Sequence, residues 1–208
     1  AVQLANALSD EQPLMRTTLL PGLAGAISRN ISRGFTDVAL FEIASVSLLS
    51  AKQSATGVTN PPRPSVAKRP TAADIEALEA LLPDQPLHLG VVLAGALKPA
   101  GLGTKAVLAT WSDAIEVALA LGVELGVETT VTSGDNAPWH PGRCAEFRVN
   151  NKAVAHAGEI HPRITTALGL PERTVAFALI VDAIPFASPV QAIPVNTMPA
   201  AIQDISLF

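Results

Sequence analysis

One cysteine in 208 residues, Cys144, excludes an internal disulfide and fits a reducing, cytoplasmic setting. Charge is also scarce, at 15% of residues with a net of -4, and no basic run is longer than Lys68-Arg69. No electrostatic stripe therefore stands ready for a phosphate backbone. There is no uncharged apolar run near the ~20 residues that cross a bilayer, and no basic start followed by an apolar stretch. Anchoring and targeting are not expected. Metal-ligand spacings such as His-x-x-x-His and Cys-x-x-Cys are missing. So are complete nucleotide loops: Gly101-Leu102-Gly103 has no third glycine, and Lys105 does not complete a phosphate loop. That stretch reads as loop punctuation. What is abundant is apolar material, 49% of the chain, enough for one sizeable core or two small ones. Ala1 in place of Met, and a strand-like run ending at Phe208, predict a segment of a longer chain.

The order of elements follows from spacing. Thr17 and Thr18 offer N-cap hydroxyls, Pro21 suits a first helical turn, and Leu19, Leu20, Leu23 and Ile27 recur at helical intervals up to Gly34. Residues 37–46 have little polar relief and predict a strand buried on both sides. Residues 50–70, with four prolines, predict a flexible excursion, because so little apolar surface cannot offset ordering entropy. A Thr-x-x-Asp cap at Thr71 starts a second helix with Ile75, Leu78, Leu81 and Leu82, closed by Pro83. A strand over 87–97 and a capped helix over 110–121 follow, the helix ending at Gly122 with Trp111, Ile115 and Leu119 on one side. Asn150-Asn151 predicts a two-residue hairpin turn between strands 143–149 and 152–160. A short helix over 162–168 stopped by Gly169, then an apolar strand over 174–184, complete the pattern. The fold class is α+β, a mainly antiparallel sheet flanked by helices.

Chemistry-bearing residues are few. His140-Pro141 and His161-Pro162 have a structural reading: the residue before proline is pushed to extended conformations, and Pro162 suits the first position of a helix. Glu146 and Glu159 lie near them, without the spacing of a metal site. Cys144 sits beside Arg143 and four residues from His140, which could activate a thiol; a buried strand cysteine is the competing reading. Glu42, in an apolar run, needs a partner, either an arginine or a substrate. Lys52, Arg63, Lys68 and Arg69 are the candidate contacts for nucleic acid.

The stretch from Ala5 to Val46 resembles the beta-subunit family of bacterial phenylalanyl-tRNA synthetases. The resemblance rests on Asn6, Leu8, Ser9, Arg16, Thr17, Thr18, Leu19, Leu20, Pro21, Gly22, Leu23, Arg29, Asn30, Phe41, Glu42 and Ile43. His140-Pro141-Gly142-Arg143 and Gly158-Glu159-Ile160-His161-Pro162 are similar to two later elements of the same family module. Ala7 and Ala44 replace its usual proline and glycine.

The resemblance implies a class II aminoacyl-tRNA synthetase-like core over 1–190, then a linker and the first strand of an anticodon-binding-like domain over 191–208. It implies a catalytically silent copy of the fold, with no catalytic, cofactor-binding or metal residue of its own. Arg16, Glu42, His140, Arg143, Glu159 and His161 become structural or interface candidates, and Arg163 a further family-matched cation. ATP and magnesium would serve the whole enzyme at the alpha subunit. Two alpha and two beta chains would assemble with tRNA-Phe. In the alpha subunit the strand after Gly-x-x-His-Pro ends in Gly-Ile-Glu-Arg, the arginine serving ATP. Here that place holds the apolar run 175–184, with neither glycine nor arginine, which favours packing over nucleotide binding. The competing expectation is a retained adenylate or amino-acid site served by Arg16, Glu42, His140 and His161.

Overall fold

The computed structural model describes residues 1–4, 6–10, 12–49, 63–185, 192 and 198–207. Most of the excursion expected over 50–70 lies outside the described residues. The described residues form eight strands and four α-helices. In chain order they are α1 Leu20–Ser32, β1 Val38–Ser45, α2 Ala72–Glu79, β2 Leu87–Ala94, β3 Ala96–Lys98, β4 Val107–Leu108, α3 Trp111–Glu124, β5 Thr130–Ser133, β6 Trp139–Val149, β7 Lys152–Ile160, α4 Pro162–Ala167 and β8 Val175–Ile180. Six strands form one antiparallel sheet in the order β1-β2-β8-β7-β6-β5, and β3 pairs with β4 as a small separate hairpin. The expected α+β class with a mainly antiparallel sheet is what forms.

Two apolar layers hold the sheet between helices. On one face α1 lays Leu20, Leu23, Ala24 and Ile27 over Val38, Val92, Ala94 and Ala176. Gly90 lets this helix come close, since a Cβ there would stand 2.9 Å from Leu23 Cδ1 and 3.1 Å from Leu19 Cβ. On the other face α3 sets Ala114 and Ala118 against the buried side chains Phe147, Ala155, Ala157, Val175, Phe177 and Leu179. Of Trp111, Ile115 and Leu119, which the spacing sets on one side of α3, Ile115 packs against this layer, while Trp111 and Leu119 remain about 40% exposed. The alanines make the buried contact because small side chains allow a helix to approach a sheet closely. The helix also runs through Gly122 to Glu124, and Gly126, at φ 64°, follows its end.

The strand expected over 37–46 forms over 38–45, but it is not buried on both sides. β1 is an edge strand covered by α1 on one side only, so its burial alternates, with Phe41 72% and Ile43 56% exposed. The helix on the opposite face packs mainly over β7 and β8, with β6 beside them, and leaves Phe41 and Ile43 of β1 uncovered. An uninterrupted apolar run suits a strand buried on both faces, but here one half of it is left bare. α2 likewise forms with its Thr71–Asp74 capping box, yet none of its residues is buried.

The turns obey the sequence. Asn150 and Asn151 adopt φ 48° and 64° at the tip of the β6–β7 hairpin, and Gly169 adopts φ 63° after α4. β8 stops at Ile180, where a 3-10 turn over Val181–Ala183 replaces the expected last residues of the strand. Residues 198–207 carry no helix or strand.

Candidate functional site

Arg16 and Glu42 satisfy each other. Arg16 Nη1 donates to Glu42 Oε1 at 2.6 Å, and its Nε donates to Ser45 O at 3.1 Å. The carboxylate that the sequence left without a partner thus faces α1 and ties the chain before that helix to the edge strand. Both side chains keep a third or more of their surface exposed, so the pair contributes at most about 1 kcal/mol.

Arg143 and Glu159 form a second pair. Arg143 Nη1 donates to both carboxylate oxygens, at 2.9 and 3.0 Å, and Glu159 itself is buried. A bulge in β6 between Trp139 and Cys144 brings its backbone against Gly158, where a Cβ would overlap Arg143 O and stand 2.7 Å from Cys144 Cα. That close approach explains the glycine before Glu159.

His140 and His161 do meet, with ring centroids 6.2 Å apart. Each is also tied to local backbone. His140 Nδ1–H donates to Pro141 O at 2.6 Å, and His161 Nδ1 accepts from Arg163 N–H at 3.1 Å as the cap of α4. The helix-cap reading of His161-Pro162 holds. His161 has φ -58° and ψ 134°, the extended conformation that a following proline enforces.

These residues do not assemble into one site. Glu42 lies opposite Gly90, which pairs with Ala178, which pairs with His156 on β7. His161 is therefore three strands across and five residues along from Glu42, roughly 14 Å and 17 Å. No hydrogen bond, ion pair or ring contact joins Arg16 and Glu42 to the histidines among the described residues.

Cys144 is a core residue. It is buried, and burial, helped by the Glu146 carboxylate, pushes its thiol up to about 11. The thiolate that nucleophilic chemistry needs is therefore scarce at neutral pH. On the same face Glu146 binds Arg148 Nε at 2.7 Å, and Arg148 holds the Glu146 carboxyl below the usual range. His156 Nε2 stands 3.1 Å from the other oxygen of Glu146 and stacks its ring on Trp139. Sequence spacing missed this cluster because its members meet only through the β6–β7 register, Glu146 opposite His156. Gly101 and Thr104 exchange backbone hydrogen bonds at 3.1 Å in a tight loop with Leu102 fully exposed, so the Gly-Leu-Gly stretch is punctuation. Arg63, Lys68 and Arg69 are exposed, and Lys52 lies outside the described residues. Among the described residues no three His, Cys, Asp or Glu side chains stand together as metal ligands, and no helix is long and apolar enough to cross a membrane.

The strand where the sequence pattern replaced glycine and arginine by apolar groups is central in the sheet. Val175, Ala176, Phe177 and Leu179 are each less than a tenth exposed. Alternate residues are covered from opposite sides, Ala176 by the α1 layer and Val175, Phe177 and Leu179 by the α3 layer. Between α3 and the sheet a cavity of only about 20 Å³ remains, lined by Ala118, Phe147, Phe177 and Leu179 among others. It has room for a single water. Across the same face, beyond α3, Phe41 and Ile43 are uncovered, with Leu89 and Val91 half-buried beside them.

Residues 1–181 match the model of the phenylalanyl-tRNA synthetase beta chain CLM domain. The chain is 46% identical to the phenylalanine–tRNA ligase beta subunit of Streptomyces avermitilis, over 99% of this chain and 25% of that protein. It is 45% identical to the subunit of the same name from Thermobifida fusca, over 100% of this chain and 25% of that one. The Mycobacterium leprae subunit is 39% identical over 99% of this chain and 24% of its own length. The chain thus spans about a quarter of the length of the curated relatives it matches.

Proposed function

The chain belongs to the phenylalanyl-tRNA synthetase beta chain CLM family, and from that premise we propose that it is a non-catalytic, class II synthetase-like module that supports the catalytic alpha subunit. The observation that carries this reading is the packing of β8. A nucleotide needs an open bed on a strand, and phosphates need convergent cations. β8 offers buried apolar side chains on both faces and a residual cavity of about 20 Å³. The Arg16 and Arg143 guanidiniums are committed to Glu42 and Glu159.

In this reading ATP and magnesium are used at the alpha subunit, where phenylalanine is activated for tRNA-Phe. The assembly is a heterotetramer of two alpha and two beta chains in the cytoplasm, and residues 191–208 lead into an anticodon-binding-like domain. Arg16–Glu42 and Arg143–Glu159 are positioning pairs that brace the module. The uncovered Phe41 and Ile43, more than half exposed on the edge strand β1, support a docking role, since apolar side chains left bare together mark interaction surfaces. The retained adenylate or amino-acid site has less support, because the Arg16–Glu42 pair and the His140–His161 pair lie three strands apart.

Co-elution of the beta subunit with separately prepared alpha subunit tests the proposal. Phe41→Asp with Ile43→Asp is expected to weaken the complex at least about tenfold, as buried charge at an apolar contact does. Undiminished association of the double variant would refute the docking face. Failure of the unaltered subunit to associate would refute the scaffold reading itself.

A further inference from the structure

We propose that the cleft between the start of α3, the β6–β7 pair and the turn before β8 binds a planar aromatic ring carrying one anionic group. The inference does not rest on the scaffold reading, and it involves none of Arg16, Glu42, His140 and His161. The cleft is lined by Ala109, Thr110, Trp111, Arg143, Glu159 and Arg173, and its cavity of about 200 Å³ is ten times the void left under α3. That is room for a single ring and its anion rather than a large cofactor.

The charges in it do not balance. Two guanidiniums face one carboxylate. Both oxygens of Glu159 are taken by a single nitrogen of Arg143, Nη1. Among the described residues Arg173 has no hydrogen bond or ion pair, and it stands in the turn before β8 at φ 59°. A free guanidinium presents parallel N–H donors that match a carboxylate or phosphate. The wall beside it is an indole. Trp111 is 43% exposed at the first turn of α3, whereas Trp139, the other tryptophan, is buried against His156. A half-exposed indole offers a stacking surface for an aromatic ring, and arginine beside it reinforces that preference. Thr110 Oγ1 is already bound to Asp113 Oδ2 at 2.6 Å, so it shapes the wall and leaves anion recognition to Arg173.

Free nucleotide and the end of a single-stranded RNA share this chemistry. The test titrates the 208-residue chain with uridine monophosphate, uridine, inorganic phosphate and a five-residue oligouridylate, reading tryptophan fluorescence and calorimetric heat. Uridine monophosphate is expected to saturate with a Kd below about 1 mM. Uridine and phosphate alone should bind at least about tenfold more weakly. Arg173→Ala should weaken uridine monophosphate at least about tenfold with an unchanged melting temperature, since the side chain is exposed. Tighter binding of the oligouridylate assigns the site to a strand end, and weaker or equal binding assigns it to free nucleotide. No saturable response to either up to about 10 mM overturns the proposal. So does binding that is unchanged in Arg173→Ala, or uridine binding as tightly as its monophosphate.

Discussion

Phe177→Ala tests the packing of β8 directly. Phe177 is 2% exposed, lies opposite Val91 on β2 and Ala157 on β7, and faces Ala118 of α3 across the small cavity. Its removal loses the transfer free energy of a buried aromatic and leaves a hole that strands held on both sides cannot close, a cost of about 3–5 kcal/mol. At about 2–4 °C per kcal/mol for a domain of this size, the melting temperature should fall by roughly 6–20 °C. Phe41→Ala is the internal control. Phe41 carries the same ring on the same face of the sheet but is 72% exposed, so its loss should change folding stability by no more than about 0.5 kcal/mol. Both are read by thermal and urea unfolding followed by circular dichroism, with equal urea slopes required for the comparison. A Phe177→Ala cost below about 1 kcal/mol, or a Phe41→Ala cost equal to it, would refute the argument that β8 is filled and β1 bare.

Three further outcomes follow from single groups. Cys144, with its thiol pushed up to about 11 by burial, should react with iodoacetamide at pH 8 far more slowly in the native chain than in urea; equal rates would contradict its burial. Among the described residues His88 Nε2 is buried with no hydrogen-bond partner, and burial lowers its pKa against the opposing pull of the Asp182 carboxylate. The folded state therefore prefers the neutral ring, so this group's stabilisation is present above the unfolded value near 6.5 and is lost as pH falls through the lower folded value. His88→Leu should flatten the stability profile between about pH 7 and 5, and an unchanged slope would show that His88 does not couple to folding. Gly158→Ala drives a Cβ into Arg143 O at the β6 bulge and should cost about 1–3 kcal/mol in urea unfolding, whereas a neutral result would mean the bulge is not where the backbone places it.

Local chemistry was legible in the sequence wherever one residue decides one turn. Asn150-Asn151, Thr71 with Asp74, His161-Pro162 and Gly169 each sit where their conformational preferences place them. What depends on neighbours was less legible. The apolar run in β1 cannot say whether both faces are covered, because that depends on how far α3 extends across the sheet. The inward face of α3 was partly legible: Ile115, on the side its spacing marks, packs against the core, while Ala114 and Ala118, which determine how near the helix lies, weigh little in a periodicity count dominated by large side chains. The Arg16–Glu42 pair was half legible: an apolar strand with one carboxylate demands a partner, and only the fold shows which one. Arg173 carried no signal in the sequence. It becomes notable only once the turn before β8 sets it beside Trp111.

The most direct test of the central claim is a crystal structure of the chain soaked with magnesium and ATP. Density stacked on Phe177 or Leu179, with α3 displaced to admit it, would contradict the claim that this strand is committed to packing. The expected result is that both faces of β8 stay covered, Ala176 by the α1 layer and Phe177 and Leu179 by α3, with no nucleotide against them.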